Sequence, residues 1–289
     1  MIIDAKTCFY FLLGNPVSHS LSPAIQNAGF KALSINAVYL AAPVEPDQVG
    51  TAVSALKALS AGGGNVTSPY KEAVIPYLDQ LATEARIINS VNTIVFREGK
   101  LLGYSTDGEG FYQALAKTAT GFNPEQPALI VGAGGAARAI AFSLACHGLK
   151  ELYIANRSPA KAEQLAMILK QKTPIQKCWA LLLDQNEITA ALKKCFLIIY
   201  TLPLDVAEMM RAMSSISLGG SGHLFFDLRY SPAESELLKA ARKAGADTAN
   251  GLGMLLGQAL LAFKLFTGRE APQSAMEEAL NQAMKGKRA

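Results

Sequence analysis

Histidine and cysteine are scarce in this chain, with three of the first and four of the second in 289 residues. His19, His147 and His223 lie far apart, and Cys8, Cys146, Cys178 and Cys195 show no CxxC spacing. No metal-ligand cluster can be assembled from them. The cysteines sit in apolar strand-like or helix-like stretches, which reads as buried free thiols in a reducing compartment rather than a disulfide framework. Charge is also sparse: charged residues make up 17% and the formal net charge is +4. The basic residues are scattered except in the tail Lys285–Gly286–Lys287–Arg288, which reads as a solvated helix end, so no nucleic-acid surface is expected. A membrane-spanning run is missing as well. The most apolar late segment, Gly253–Phe266, is interrupted by Gln258 and Lys264 and is too short for a bilayer. Met1–Lys6 lacks the basic region and apolar core of a secretory signal. The expectation is a cytoplasmic protein without membrane contact.

Half of the residues are apolar, and the length fits two domains of ordinary size. Strand-like and helix-like segments alternate from end to end, as in parallel sheets covered by helices. Phe9–Leu13 reads as a strand, Ser22 to about Leu33 as a helix with Pro23 in its first turn, Ala37–Ala42 as a strand and Pro46–Leu59 as a helix. Asn65–Val66 is a short strand after three glycines. Lys71–Ile88 reads as one or two helices broken near Pro76, and Val91–Phe96 with Leu101–Tyr104 as a hairpin. A helix from Gly108 to about Thr118 precedes the polar stretch Gly121–Pro127.

From Ala128 the pattern becomes clean βα repeats. The strands are Ala128–Val131, Leu152–Ala155, Leu197–Tyr200 and Leu224–Asp227, with Asp247–Ala249 a candidate last strand. Helices fall near Ala136–His147, Pro159–Lys170, Asp205–Met213 and Glu234–Ala244. Gly251–Phe266 and Pro272–Lys285 are two closing helices with no strand between them. They either close the second domain or return to cover the first.

The strand Leu129–Ile130–Val131 runs into Gly132–Ala133–Gly134–Gly135–Ala136–Ala137. In a GxGxxG/A pattern Gly132 permits the tight turn, Gly134 lets backbone approach a pyrophosphate, and Ala137 lets helix and strand pack closely. The helix start offers unpaired N–H groups and partial positive charge to phosphates. A glycine turn alone also occurs for purely structural reasons. Here the preceding strand, the following helix and the strand Leu152–Ala155 all fall where a dinucleotide unit needs them. Sites for NAD usually place a carboxylate at the end of that second strand. This chain has Asn156–Arg157–Ser158–Pro159–Ala160–Lys161 instead. Arg157 suits a 2′-phosphate through charge-assisted bonds and Lys161 adds a second charge, so the expected cofactor is NADP(H).

The first half carries polar residues that packing does not require. Gly14 through Pro23 places Ser18, Ser20 and Ser22 between a strand end and a helix start, a natural anion site. Ser22 reads equally as a plain N-cap or, with Ser20, as a clamp for a carboxylate. Lys71 follows Asn65–Val66–Thr67–Ser68–Pro69–Tyr70, and a lone lysine is ordinarily solvated surface. Asn92–Thr93 and Ser105–Thr106–Asp107–Gly108 add an amide and a carboxylate at strand ends. A lysine and an aspartate in a dry cleft make an acid–base couple suited to oxidising an alcohol. Whether Lys71 and Asp107 meet is left open by the spacing.

These motifs, in this order from about Phe9 to Gly268, resemble the shikimate/quinate dehydrogenase family. They are Gly14–Asn15–Pro16 with His19–Ser20–x–Ser22–Pro23, Asn65–Val66–Thr67–x–Pro69–x–Lys71, Val91–Asn92–Thr93 and Thr106–Asp107–Gly108. The glycine turn Gly132–Ala136, Asn156–Arg157–Ser158, Asp227–x–x–Tyr230–x–Pro232 and Gly251–x–Gly253–Met254–Leu255–x–x–Gln258 complete the set. The resemblance implies a two-domain α/β enzyme with a mostly parallel sheet in the substrate domain and a Rossmann-type NADP-binding domain. Residues 1–106 with 251–289 returning would bind substrate, and 107–250 the cofactor. It implies NADP-dependent reduction of 3-dehydroshikimate to shikimate, a step of chorismate and aromatic amino acid biosynthesis.

Residue by residue, the resemblance gives Lys71 the acid/base role, with Asp107 orienting it. Ser20 and Ser22 would hold the substrate carboxylate with Tyr230 nearby, and Thr67, Asn92, Asp107 and Gln258 would bond the ring hydroxyls. Gly132, Ala133, Gly134, Gly135, Ala136, Asn156, Arg157, Ser158 and Lys161 would bind NADP, with Gly251 and Met254 bordering the nicotinamide. The partner is a small molecule, with neither nucleic acid nor membrane, for a monomer or homodimer. Four positions depart from the family pattern: Gln26, Ser105, Ser231 and Tyr200, the last in Tyr200–Thr201–Leu202–Pro203, where asparagine is usual beside the nicotinamide. A tyrosine there is expected to alter the cofactor cleft. Two alternatives follow: a quinate or aminoshikimate dehydrogenase, and a catalytically impaired paralogue that binds NADP(H).

Overall fold

The computed structural model describes residues 3–118, 122–217 and 223–286. Gly121 of the polar stretch and Lys287 and Arg288 of the basic tail lie outside the described residues. The chain divides into two compact units: the residues up to Gly110 together with those from Leu255 onward, and Phe111–Met254.

In the first unit, β1 (Cys8–Gly14), β2 (Ala37–Pro43), β3 (Gly63–Val66), β4 (Gln80–Leu81), β5 (Thr93–Arg97) and β6 (Lys100–Tyr104) form one sheet in the order β2-β1-β3-β5-β6-β4. The pairs β1–β2, β1–β3 and β4–β6 are parallel, whereas β3–β5 and β5–β6 are antiparallel. The predicted hairpin is β5–β6. Glu98 and Gly99 at its tip both take positive φ (51° and 76°), as a two-residue hairpin turn requires. The helices are α1 (Ser22–Ala32), α2 (Val49–Ala58), α3 (Thr83–Ile88) and α4 (Asp107–Leu115). The stretch expected to be helical from Lys71 to Ile88 is different. It holds turns, a short 3-10 turn at Ile75–Tyr77 and the edge strand β4 before α3 begins. Pro76 sits within that 3-10 turn, where its missing N–H costs least.

In the second unit, β7 (Ala128–Val131), β8 (Glu151–Asn156), β9 (Lys177–Leu182), β10 (Leu197–Tyr200), β11 (Leu224–Asp227) and β12 (Asp247–Asn250) form a sheet in the order β12-β11-β10-β7-β8-β9. Every neighbouring pair in it is parallel. This is the doubly wound Rossmann order, with the reversal between β7 and β10. Helices α5 (Gly135–Cys146), α6 (Pro159–Lys172), α7 (Gln185–Lys194), α8 (Ala207–Ser214) and α9 (Glu236–Lys243) connect the strands. The central strands β7, β10 and β11 are buried on both faces, so side chains separate by the period of two. Ile130, Ile154, Ile199 and Phe226 join one apolar cluster with Leu144 and Leu165, and Leu129, Val131, Ile198, Tyr200 and Phe225 join the other with Met209 and Leu237. Strand β9 and helix α7 were not expected.

The last helices are α10 (Leu252–Thr267) and α11 (Gln273–Gly286). From Leu255 onward they belong with the first unit. Phe266 packs at a tilt on Tyr10 of β1 at 4.8 Å between ring centres, and Phe263 likewise on Phe30 of α1 at 5.4 Å. Gly29 of α1 has no room for a side chain between Phe263 and Met276 of α11. Aromatic burial at this seam is what ties the C-terminal helices to β1 and α1. No helix among the described residues is long and apolar enough to cross a membrane.

Candidate active site

In the first unit the turn after β3 is fixed from several sides. Tyr70 is buried and donates from its hydroxyl to the Val44 carbonyl at 2.6 Å, and its N–H bonds the Thr67 carbonyl. Thr67 N–H reaches back to the Leu13 carbonyl, and Gly14 leaves space for the Thr67 methyl. Val91 N–H donates to the Lys71 carbonyl at 2.8 Å, so the backbone of Lys71 is held beside the start of β5.

That placement brings the Lys71 ammonium to 2.5 Å from Asp107 Oδ2, with the two side chains 16% and 7% exposed. Asp107 opens α4, where the helix dipole favours a carboxylate. Its other oxygen, Oδ1, accepts from Asn92 Nδ2 at 2.8 Å. Asn92 is itself locked: its Oδ1 accepts from Thr106 N–H at 2.7 Å, and its Nδ2 also reaches Thr106 Oγ1 at 2.9 Å. Behind it, Asn65 Nδ2 donates to Thr93 Oγ1 and to the Asn92 carbonyl, while Tyr39 OH donates to Asn65 Oδ1. A buried ion pair survives only when its remaining hydrogen-bonding capacity is met, and this network meets it. Asn65, Thr93 and Tyr39 were not among the expected site residues. Their signal was present as polar side chains within buried strands.

Ser20 and Ser22 are brought together, Ser20 Oγ donating to Ser22 Oγ at 3.2 Å and accepting from Ser22 N–H. Ser22 is the first residue of α1 and is not its N-cap; that position is Leu21, which makes no side-chain cap. The plain-cap reading of Ser22 therefore does not hold, and Ser20 Oγ instead takes up the Ser22 N–H at the start of α1. Thr67 is half-buried, and its hydroxyl has no hydrogen-bond partner among the described residues. Gln258 lies on α10, and its backbone packs so closely on Gly110 that no side chain fits there. Its own Nε2 turns to the Leu255 carbonyl. Gln258 is thus placed one turn along α4 from Asp107, with no direct bond to Lys71, Asn92 or Asp107.

Glu84 on α3 carries no sequence signal of a site. One of its oxygens is buried without a partner. Burial first, then the nearby carboxylates of Glu109 and Asp107, pushes its carboxyl up to about 7.

In the second unit, Gly132 follows β7 with φ of 117°, a conformation that excludes other side chains. Any side chain there would also strike Thr201 Oγ1. Gly134 precedes α5, and a side chain at it would meet nothing within 4 Å, so the space before the helix start is open. Ala137 is fully buried in the β7–α5 seam, and Ala133 packs in the same cluster. Gly135 and Ala136 lie half-exposed at the helix start. Neither α5 nor α6 has an acidic residue in its first turn.

Asn156 ends β8 and donates from Nδ2 to the Ser158 carbonyl at 2.9 Å, shaping the turn that carries Arg157. Arg157, Ser158 and Lys161 are exposed, and neither cation is paired with a described carboxylate. An open glycine turn, acid-free helix starts and two unpaired cations after β8 fit a dinucleotide with an extra phosphate.

Tyr230 follows β11, and burial pushes its hydroxyl up. Gly251 packs against the Leu228 carbonyl with no room for a side chain, and its N–H donates to the Arg229 carbonyl. Met254 is 8% exposed and is part of the unit's apolar core. Tyr200, expected to alter the cofactor cleft, has its ring in the core with Ile198 and Phe225, and its hydroxyl donates to the Leu204 carbonyl at 2.5 Å. Burial pushes that hydroxyl up to about 12. The next residue, Thr201, is the one that abuts the glycine turn.

A doubly wound sheet with an open glycine turn, together with a separate unit carrying a lysine–aspartate pair, defines a dinucleotide-dependent α/β oxidoreductase. Residues 12–94 match the shikimate dehydrogenase substrate binding domain, 114–218 the shikimate/quinate 5-dehydrogenase family, and 251–280 the shikimate 5′-dehydrogenase C-terminal domain. A shikimate dehydrogenase (NADP(+)) of Methanopyrus kandleri is 43% identical over 96% of both chains. A crystal structure of a shikimate dehydrogenase in complex with NADP+ is 35% identical, covers 98% of each chain and superposes with a TM-score of 0.84. The Thermus thermophilus shikimate 5-dehydrogenase in complex with NADP(H) and shikimate is 32% identical over 96% of this chain and 100% of that one, with a TM-score of 0.79. The chain belongs to the shikimate dehydrogenase family.

Proposed function

We propose that this chain catalyses the reversible NADP-dependent reduction of 3-dehydroshikimate to shikimate. The observation that carries the reading is the Lys71–Asp107 contact, held by Asn92, in a member of this family. Residues 1–106 and 251–289 act as the substrate-binding part, and 107–250 as the NADP-binding part. Bound NADPH supplies the hydride. Lys71 delivers a proton to the ketone oxygen as charge develops there, and takes it back in the reverse direction. Asp107 keeps Lys71 positioned and offsets its charge between turnovers, while Asn92 prevents the carboxylate from rotating away. A cation at a developing alkoxide acts mainly on the transition state.

Ser20 and Ser22, with Tyr230, take the substrate carboxylate, and Thr67, Asn92, Asp107 and Gln258 the ring hydroxyls. Gly132, Ala133, Gly134, Gly135 and Ala136 receive the pyrophosphate. Asn156, Arg157, Ser158 and Lys161 receive the 2′-phosphate side, and Gly251 and Met254 border the nicotinamide. The ring of Tyr200 is buried in the core, which weighs against a catalytically impaired paralogue. Of the four free cysteines, Cys178 and Cys195 are buried as expected, whereas Cys146 is exposed and Cys8 half-buried; the setting proposed is the cytoplasm. Assembly is no larger than a homodimer, which size-exclusion chromatography with light scattering tests.

The role of Lys71 is tested by Lys71→Ala. Turnover should fall about 10²–10⁴-fold while shikimate binding weakens far less. Near-normal turnover with weaker binding alone would overturn the assignment.

A further inference from the structure

At the carboxyl ends of β10, β11 and β12, three loops meet on one arginine. Arg229 follows β11 and forks onto Asp227, with Nε 2.9 Å from Oδ1 and Nη2 2.6 Å from Oδ2. Asp227 is fully buried, and Arg229 N–H and Ser235 Oγ also donate to it. Its acceptor sites are satisfied, so the arginine stands on a rigid base. The same guanidinium reaches Asp205 in the loop after β10, Nη2 to Oδ1 at 2.6 Å. Its carbon lies 5.1 Å from the centre of the Tyr200 ring. Its backbone carbonyl accepts from Gly251 N–H after β12.

Tyr200 closes the loop from below through its bond to the Leu204 carbonyl. The loop is therefore pinned at two consecutive residues, Leu204 by Tyr200 and Asp205 by Arg229. Its other end is pinned at Thr201, whose N–H and Oγ1 both donate to the Val131 carbonyl, directly before Gly132. Doubly wound sheets bind their ligand at this edge, outside the carboxyl strand ends at the reversal point. The glycine turn has Thr201 as its floor, so the loop carrying Thr201 sets the shape of the turn.

We propose that Arg229 and Tyr200 are positioning residues of the cofactor site, latching the Thr201–Asp205 loop so that the glycine turn at Gly132–Gly134 stays open to a dinucleotide. The proposal rests on the NADP-binding reading above. The tyrosine in place of the family's usual asparagine then has a use: its ring packs in the core and supports the arginine, and its hydroxyl fixes the loop.

Loss of Arg229 would strand the buried Asp227 and unfold the unit, so the informative variants are Tyr200→Phe and Asp205→Asn. Asp205 is one-third exposed, and Tyr200→Phe keeps the ring in the core. NADPH binding is read by the fluorescence of the reduced nicotinamide, and amide exchange of 201–206 by mass spectrometry. Each variant should raise the Kd for NADPH about five-fold and speed exchange in 201–206. The double variant should lose less than the product of the two, since both release one loop. Wild-type affinity in both single variants, whatever the exchange rates, would overturn the proposal. Failure of the parent protein to bind NADPH would instead overturn the reading beneath it.

Discussion

Asn92 donates to one oxygen of Asp107 at 2.8 Å, which leaves the other oxygen turned to Lys71 at 2.5 Å. The amide has no freedom to do otherwise, because Thr106 N–H holds its oxygen. Asn92→Ala would remove both the anchor of Asp107 and the partner of Thr106 N–H. Turnover is expected to fall by about ten-fold or more and the shikimate KM to rise as well, since the amide both anchors Asp107 and is proposed to bond a ring hydroxyl. Steady-state kinetics with shikimate varied at saturating NADP+ checks this.

Glu84 makes stability depend on pH. Its carboxyl sits near 4.5 when free and is pushed up to about 7 by burial, then by Glu109 and Asp107. The folded state therefore binds more protons than the unfolded state between these values, and stability falls as pH rises through that window. Below about 4.5 and above about 7 this contribution is flat. Glu84→Gln should match the parent in Tm near pH 4.5 and exceed it by about 2–4 °C near pH 8. Calorimetry at the two pH values decides the sign.

Arg157 is exposed and unpaired, so its removal should cost the fold little. Arg157→Ala is expected to weaken NADP+ about 10- to 100-fold and leave NAD+ nearly unchanged, since only the former has the extra phosphate. Titration with both cofactors measures the ratio. An equal loss for the two would place Arg157 outside the phosphate site.

Gly132 carries two constraints, a φ of 117° and the contact with Thr201. Gly132→Ala should cost about 1–3 kcal/mol of stability and abolish tight NADPH binding. Gly99→Ala at the hairpin tip is the control. It has positive φ too, but nothing lies within 4 Å, so only stability should change.

Much of this is legible in the sequence. The βα period around Gly132 announced the doubly wound unit, because strand, glycine turn and helix must follow in that order. Strand β9 was not legible. It is an edge strand whose Trp179 and Leu182 are about half exposed, so it lacks clear alternation. Helix α7 did carry a signal, Asp184 accepting from the Asn186 and Glu187 amides as an N-cap, hidden within a polar stretch. The two-residue β4 is set by pairing with β6, not by its own residues. Lys71 and Asp107 were visible as residue types, but 36 positions separate them, and only the fold brings them together. The burial of Tyr200 was less legible than its residue type. Strand β10 alternates, so Tyr200 shares a face with Ile198 and points into the core.

The central claim is the reaction itself, and the absorbance of reduced nicotinamide tests it most directly. Purified protein should reduce NADP+ with shikimate faster than with quinate, and should prefer NADP+ to NAD+. Faster turnover with quinate and NAD+, or no turnover with any pair despite NADPH binding, would contradict the account.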